Sequence, residues 1–259
     1  MNILLTGHRG FIGQHMLRAL EARGHNVSTY EWGDNNLPSI MDQEWVIHIG
    51  AISSTVERDI DKVMTQNYDF SRQIFNACKT YGVNLQYSSS ASIYGLGTDF
   101  TETAQPDPRT PYAWSKYLFE RYHLKRQGGN IVQGFRYFNV YGPEGEEHKG
   151  NQASPYMQFT KQYQETGRIK LFENSENYLR DFIHVSKIVD THLQFLNVRE
   201  SGVFNLGTGH TKSFKEVALS ICSENEIDYI PMPDILKDSY QAYTCADMSK
   251  TNQALSTTF

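Results

Sequence analysis

Apolar positions at residues 1–6 run together and stop at a glycine, the mark of a short buried strand. Residues 11–21 then place Ile12, Met16, Leu17 and Leu20 at helical spacing, one apolar face per turn. A strand over 27–31, a second apolar run WVIHI over 45–49 and a long helix over 56–81, ending near Gly82, follow. A strand beginning over 85–88, a helix over 111–126 and a strand over 131–135 complete the regular part. Strands alternating with helices predict an α/β fold with a doubly wound, mostly parallel sheet. After about residue 139 the pattern loosens. Gly142, Pro143, Gly145 and a cluster of glutamates predict a loop over 141–150, followed by a helix over 154–165, strands over 169–172, 181–185 and 203–206, and a helix over 213–224.

The first strand–helix junction carries the first chemical signal. Gly7, Gly10 and Gly13 are spaced G-x-x-G-x-x-G around His8, Arg9, Phe11 and Ile12. Glycines there let the backbone turn tightly and approach a pyrophosphate, which sits at the positive end of the helix that follows. This predicts a Rossmann dinucleotide site with Gly7, Arg9, Gly10, Phe11, Ile12 and Gly13 around the cofactor. Glu31, closing the second strand, can hold ribose hydroxyls of NAD, whereas Arg9 can pair with the 2′-phosphate of NADP. The two point in opposite directions; NADP is the expected cofactor, with NAD as the alternative. Residues 1–140 with parts of 178–207 are expected to form the dinucleotide domain, and 141–177 with 208–259 a smaller substrate lobe.

Two further groups follow in chain order. Ser88-Ser89-Ser90 lies at the end of a predicted parallel strand, where doubly wound sheets bind their ligands. Tyr112 and Lys116 lie four residues apart, on one face of the next helix. A tyrosine with a pKa near ~10 is a poor base at neutral pH, and a lysine cation nearby favours its phenolate. Ser90, Tyr112 and Lys116 are the candidate catalytic residues.

Composition narrows the setting without changing the picture. The 259 residues are 39% hydrophobic and 20% charged, with net charge −5 and pI about 6.0, which gives no electrostatic basis for a nucleic-acid or membrane partner. Cys78, Cys222 and Cys245 are scattered and odd in number, which argues against a disulfide framework or zinc site; no metal is expected, and a cytoplasmic location is. Neither a secretory signal nor an apolar run of membrane-spanning length is read.

The glycine turn, the SSSASIYG segment at 88–95 and the Tyr112/Lys116 pair resemble the extended short-chain dehydrogenase/reductase family over nearly the whole chain. Arg136-Tyr137-Phe138-Asn139-Val140-Tyr141-Gly142-Pro143 is similar to its nucleotide-sugar members. His148-Lys149-Gly150, Leu171 to Asn177, Arg180-Asp181-Phe182 and Tyr240 to Thr244 resemble the heptose 6-epimerases among them. The resemblance implies an NAD(P)-dependent epimerase of a nucleotide-activated sugar, which oxidises a carbinol to a transient ketone and re-reduces it on the other face. Inversion at C6 requires an acid/base group for each orientation, which the resemblance assigns to Tyr112 and Lys149. It also implies Gly50, Ala51, Asn67, Tyr112 and Lys116 as cofactor residues, and Ser53, Ser90, Asn139, Asn151, Arg180 and Tyr240 as substrate contacts. A homo-oligomer is implied by analogy, through the helices at 56–81 and 111–126.

The sequence departs from that pattern in three places. Residues 32–44 hold no clear third strand. Pro143-Glu144-Gly145-Glu146-Glu147 is one residue longer than the epimerase loop and lacks its arginine, and Asp238-Ser239 replaces a basic residue. The chain also stops at Phe259 without the expected last amphipathic helix. A C4 epimerase, dehydratase or reductase of another nucleotide sugar is therefore the alternative. The dehydratase is disfavoured because Ala91-Ser92 follows Ser90 where an acidic pair would be needed. A non-catalytic NAD(P)-sensing protein on the same fold is the alternative of another class.

Overall fold

Six of the apolar runs become strands of one sheet: β1 (Asn2–Thr6), β2 (Asn26–Tyr30), β3 (Trp45–His48), β4 (Asn84–Ser90), β5 (Val132–Tyr137) and, later in the chain, β10 (Gly202–Leu206). Their order is β10-β5-β4-β3-β1-β2 and every pairing is parallel. The computed structural model describes residues 1–35, 37–126, 128–234 and 241–257, without the side chains of His148 and Asn151. β1 and β3 lie inside the sheet with both faces covered, which is why they read as continuous apolar runs, whereas β4 and β5 also bury polar side chains such as Gln86, Gln133 and Arg136.

One face is covered by α1 (Phe11–Ala22) and α6 (Val185–Phe195), with Ile3, Leu5, Met16, Leu20, Ile47 and Leu193 in one cluster. The other is covered by α3 (Phe70–Tyr81) and α4 (Pro111–Leu124), where Leu4, Val46, Ile74, Phe75, Leu85 and Phe119 meet. Each such side chain contributes about 1.5–3 kcal/mol on leaving water. The helix expected over 56–81 is broken into three parts. The short α2 (Ile60–Val63) is capped by Asp59, whose carboxylate accepts from Lys62 N, and a π turn (Met64–Asp69) leads into α3. Among the described residues no strand lies between Tyr30 and Trp45, so β2 is the sheet edge.

The second half is built from shorter pieces. β6 (Asn139–Tyr141) pairs in parallel with β9 (Phe182–His184). α5 (Pro155–Thr166), β7 (Ile169–Phe172), α7 (Phe214–Leu219) and β12 (Ile227–Ile230) enclose Phe159, Leu171, Val217 and Ile227. β8 (Leu179–Arg180) lies between β11 (Lys212–Ser213) and β13 (Tyr243–Thr244). Two helices go beyond the sequence reading. α6 starts at Val185, where His184 caps Ser186 N at 3.2 Å and ends the strand expected over 181–185. α8 (Ser249–Ser256) returns to the large sheet, with Ala254 packed among Phe135 and Phe204. No described helix is long and apolar enough to cross a membrane.

Candidate active site

The glycine turn leaves no room for side chains. Gly7 adopts φ +79°, and a Cβ on it would stand 2.5 Å from Gly50 Cα. A Cβ on Gly13 would overlap the Gly7 carbonyl oxygen and stand 2.8 Å from its carbon. β1, the β3–α2 loop and the start of α1 are therefore pressed together at this point. Gly10 caps α1 without a side-chain hydrogen bond, and no acidic residue occupies the first turn. The result is a cleft of about 180 Å³ lined by Gly7, Gly10–Gly13, Glu31, Ile49–Ala51, Ser53 and Lys149. Uncapped N–H groups, close backbone approach and a carboxylate at the end of β2 fit a dinucleotide. Gly13→Ala is expected to destabilise the turn and to weaken dinucleotide binding at least about tenfold, the order set by a core overlap of 1–3 kcal/mol; calorimetric titration against wild type measures it.

Asn67 is absent from the lining of this cleft. Its side chain is buried in the π turn, where Oδ1 accepts from Ile52 N at 2.8 Å and Nδ2 donates to Ile52 O at 2.9 Å and Ser115 Oγ at 3.1 Å. It thus fixes the Gly50–Ser53 loop onto α4. Below it, Ser71 donates to Asn67 O and meets His48, whose other nitrogen lies 2.6 Å from Thr6 Oγ1. Burial, with Lys116 adding to it, pushes His48 down to about 3, so this buried imidazole is neutral.

Ser90, Tyr112 and Lys116 come together at the C-terminal edge of the sheet. Thr110 caps α4 by accepting from Ala113 N at 3.1 Å, and Pro111 opens its first turn. Tyr112 therefore sits at the positive end of the helix, which favours a phenolate. Ser90 Oγ accepts from Ser92 N at 3.1 Å. Burial raises the Tyr112 pKa and the neighbouring Ser90 hydroxyl pulls it back. Lys116 Nζ stands 5.9 Å from the Tyr112 ring centroid and donates to Ser88 O at 2.8 Å. Burial lowers Lys116 to about 8, against the pull of Glu120.

Sequence reasoning missed the support beneath this group. Glu120, one turn after Lys116, forms a buried two-point pair with Arg136, at 2.6 Å to Nη2 and 3.0 Å to Nε. Ser89 Oγ donates to the same carboxylate at 2.5 Å. Glu120 and Lys116 share a helix face, and Ser89 alternates with Ser88 and Ser90; an acidic residue at i+4 of the lysine was the available signal.

The other expected site residues are more dispersed. Lys149 is not beside Ser90 and Tyr112. Its ammonium lies 4.4 Å from the Phe11 ring centroid in the dinucleotide cleft, and burial lowers its pKa. Ser53 lines the same cleft, and Asn139 is exposed on β6. Arg180 is buried, donates to Leu179 O at 2.9 Å and to Gln241 O, and lies 5.5 Å from the Phe214 ring centroid. It is not paired with Asp181, whose carboxylate instead accepts from Thr208 N at 2.8 Å, Gly209 N at 2.9 Å and Ala246 N at 3.1 Å. Phe214 also lines a mostly apolar pocket of about 340 Å³ with Phe159, Leu171, Phe172 and Tyr178. Tyr240 and the Asn151 side chain lie outside the described residues.

Known structures share this architecture. ADP-L-glycero-D-manno-heptose-6-epimerase of Helicobacter pylori superposes with a TM-score of 0.86 at 23% identity, covering 98% of this chain and 90% of that one. UDP-glucose 4-epimerase of Thermotoga maritima, solved with UDP-glucose, gives 0.82 at 27% identity over 98% and 92%. MoeE5 in complex with UDP-glucuronic acid and NAD gives 0.82 at 26% over 99% and 93%. The model of the NAD dependent epimerase/dehydratase family matches residues 3–207, from β1 to the turn after β10. With that match over most of its length, the chain belongs to the NAD dependent epimerase/dehydratase family.

Proposed function

We propose that this chain is an NAD-using epimerase of a nucleotide-activated sugar. The observation that carries the reading is the Ser90–Tyr112–Lys116 group at the same sheet edge as the glycine cleft and Glu31. Gly7–Gly13, Glu31, Gly50 and Ala51 would hold the dinucleotide, which when bound supplies the hydride acceptor and donor. The Tyr112 oxygen takes the proton of the sugar hydroxyl and returns it after the sugar has turned. Ser90 donates to the developing oxyanion, and Lys116 holds positive charge near the phenolate. MoeE5 was solved with NAD, and Glu31 favours free ribose hydroxyls, so NAD and not NADP is the cofactor of this reading.

The apolar pocket of Phe172, Phe159 and Phe214 suits a nucleotide base, and Arg180, against the Phe214 ring, is the guanidinium that would meet the diphosphate. Two inversions are compatible with this site. C6 of an ADP-glycero-manno-heptose follows the resemblance and uses Tyr112 with Lys149, whose lowered pKa a lysine base requires. C4 of a UDP-hexose needs Tyr112 alone, and the similarity to UDP-glucose 4-epimerase of Thermotoga maritima at 27% identity supports it.

An NMR time course with NAD and, separately, ADP-D-glycero-D-manno-heptose and UDP-glucose tests both. Conversion of the heptose at C6, lost on Lys149→Met, selects the first; conversion of UDP-glucose at C4, retained in that variant, selects the second. If dinucleotide binds and neither sugar nucleotide is converted, both inversions are excluded and other nucleotide sugars are tried next; the non-catalytic sensor stands if none of them is converted.

A further inference from the structure

Arg9 and Glu31 favour different cofactors, and one neighbouring residue, Asp34, contacts both. Asp34 sits in the turn after β2, where its N–H donates to Glu31 O at 3.0 Å and its Oδ2 accepts from Glu31 N at 2.8 Å. With its carboxylate pinned in this way, its Oδ1 lies 3.3 Å from Arg9 Nη2. The Arg9 backbone N–H meanwhile donates to Glu31 Oε2 at 3.1 Å, and His8 Nδ1 lies 3.9 Å from the same oxygen. The guanidinium is thus turned onto Asp34 while Glu31 is held in the cleft. Side-chain exposure of 65% and 33% makes the Arg9–Asp34 pair a weak contributor to stability. What it does is set where the Arg9 guanidinium points and add a second negative charge at the rim.

We propose that Asp34 is a specificity-determining residue, which keeps the cleft selective for NAD over NADP by holding Arg9 away from the 2′ position. The inference rests on the reading that the cleft holds a nicotinamide dinucleotide. A ribose 2′-hydroxyl brings no charge and can donate to Glu31. A 2′-phosphate brings about two negative charges against two carboxylates, and its natural partner, the Arg9 fork, is already engaged. Removing the Asp34 charge relieves the repulsion and frees the fork together.

Calorimetric titration of NAD and NADP against wild type, Asp34→Asn, Arg9→Ala and the double variant tests this by binding, with no turnover involved. Asparagine keeps an acceptor for Glu31 N and is compatible with the turn; Asp34→Ser repeats the test with another capping residue. Wild type is expected to bind NAD at least about tenfold more tightly than NADP. Asp34→Asn is expected to tighten NADP about tenfold, the size of one charge contact in a partly exposed site, and to leave NAD within about threefold. Most of the gain should be lost in the double variant, leaving only the part owed to relieved repulsion, and it should shrink with added salt. A gain undiminished without Arg9, no gain in either Asp34 variant, or a wild type that prefers NADP would each overturn the proposal. A wild type that binds neither dinucleotide overturns the cofactor reading beneath it, a distinct result.

Discussion

Tyr112→Phe is expected to reduce turnover about a thousandfold, the middle of the range for losing a positioned acid/base group. The reason is local. Tyr112 occupies the first turn of α4, next to the Ser90 hydroxyl, with Lys116 one turn below. Phenylalanine keeps the ring and its packing and removes only the oxygen that exchanges a proton with the sugar. Losing the hydroxyl and its interaction with Ser90 costs at most about 0.5–1.5 kcal/mol, so the melting temperature should fall by a few degrees at most. Dinucleotide affinity should be nearly unchanged, because Gly7–Gly13, Glu31 and Gly50 are untouched. Turnover, thermal melting and calorimetric titration of one preparation separate these effects. Full activity in Tyr112→Phe would remove the tyrosine from the chemistry, and joint loss of binding and stability would assign it a structural role.

Much of this arrangement was legible in the sequence because short-range signals carried it. The glycine turn follows from local backbone geometry, and the pairing of Tyr112 with Lys116 from helical spacing. The parallel sheet follows from strands alternating with helices, its inner strands β1 and β3 from apolar runs that leave no face for water. What was not legible depends on contacts between distant segments. The π turn at Met64–Asp69 interrupts a helix whose sequence looks continuous, and it serves to bring Asn67 onto Ile52 and Ser115. Helix α6 does carry a periodic face, with Val185, Ile188, Val189, His192 and Leu193 buried, yet its first residues read equally well as the end of a strand. The resemblance named Lys149 as a site residue, but which part of the site it serves is a matter of how the 141–150 loop lies across Phe11. For the same reason the opposition of Arg9 and Glu31 could not be resolved without knowing which side chain Arg9 faces.

The Glu120–Arg136 pair is the clearest example of such a hidden contact, and breaking it should have the largest effect on stability. Both side chains are nearly inaccessible, at 1% and 5% exposure, and they meet through two hydrogen bonds. Arg136→Met removes the partner and leaves Glu120 charged in the interior. Breaking a buried pair from one side costs about 3–5 kcal/mol. In a chain of this size each kcal/mol corresponds to roughly 2–4 °C, so the melting temperature should drop by about 6–20 °C. Replacing both partners, as Glu120→Leu with Arg136→Met, removes both charges and should be considerably milder than the single change. That ordering separates an uncompensated charge from a simple loss of packing, which would make the double variant worse. The double variant also reports on the site. Glu120 is the group that holds the Lys116 pKa up against burial, so without it Lys116 should lose its proton below about 8. An amine signal followed by lysine-selective nitrogen-15 NMR would show the titration moving to lower pH. If it stays in place, Glu120 supports the fold and has no part in setting the charge beside Tyr112.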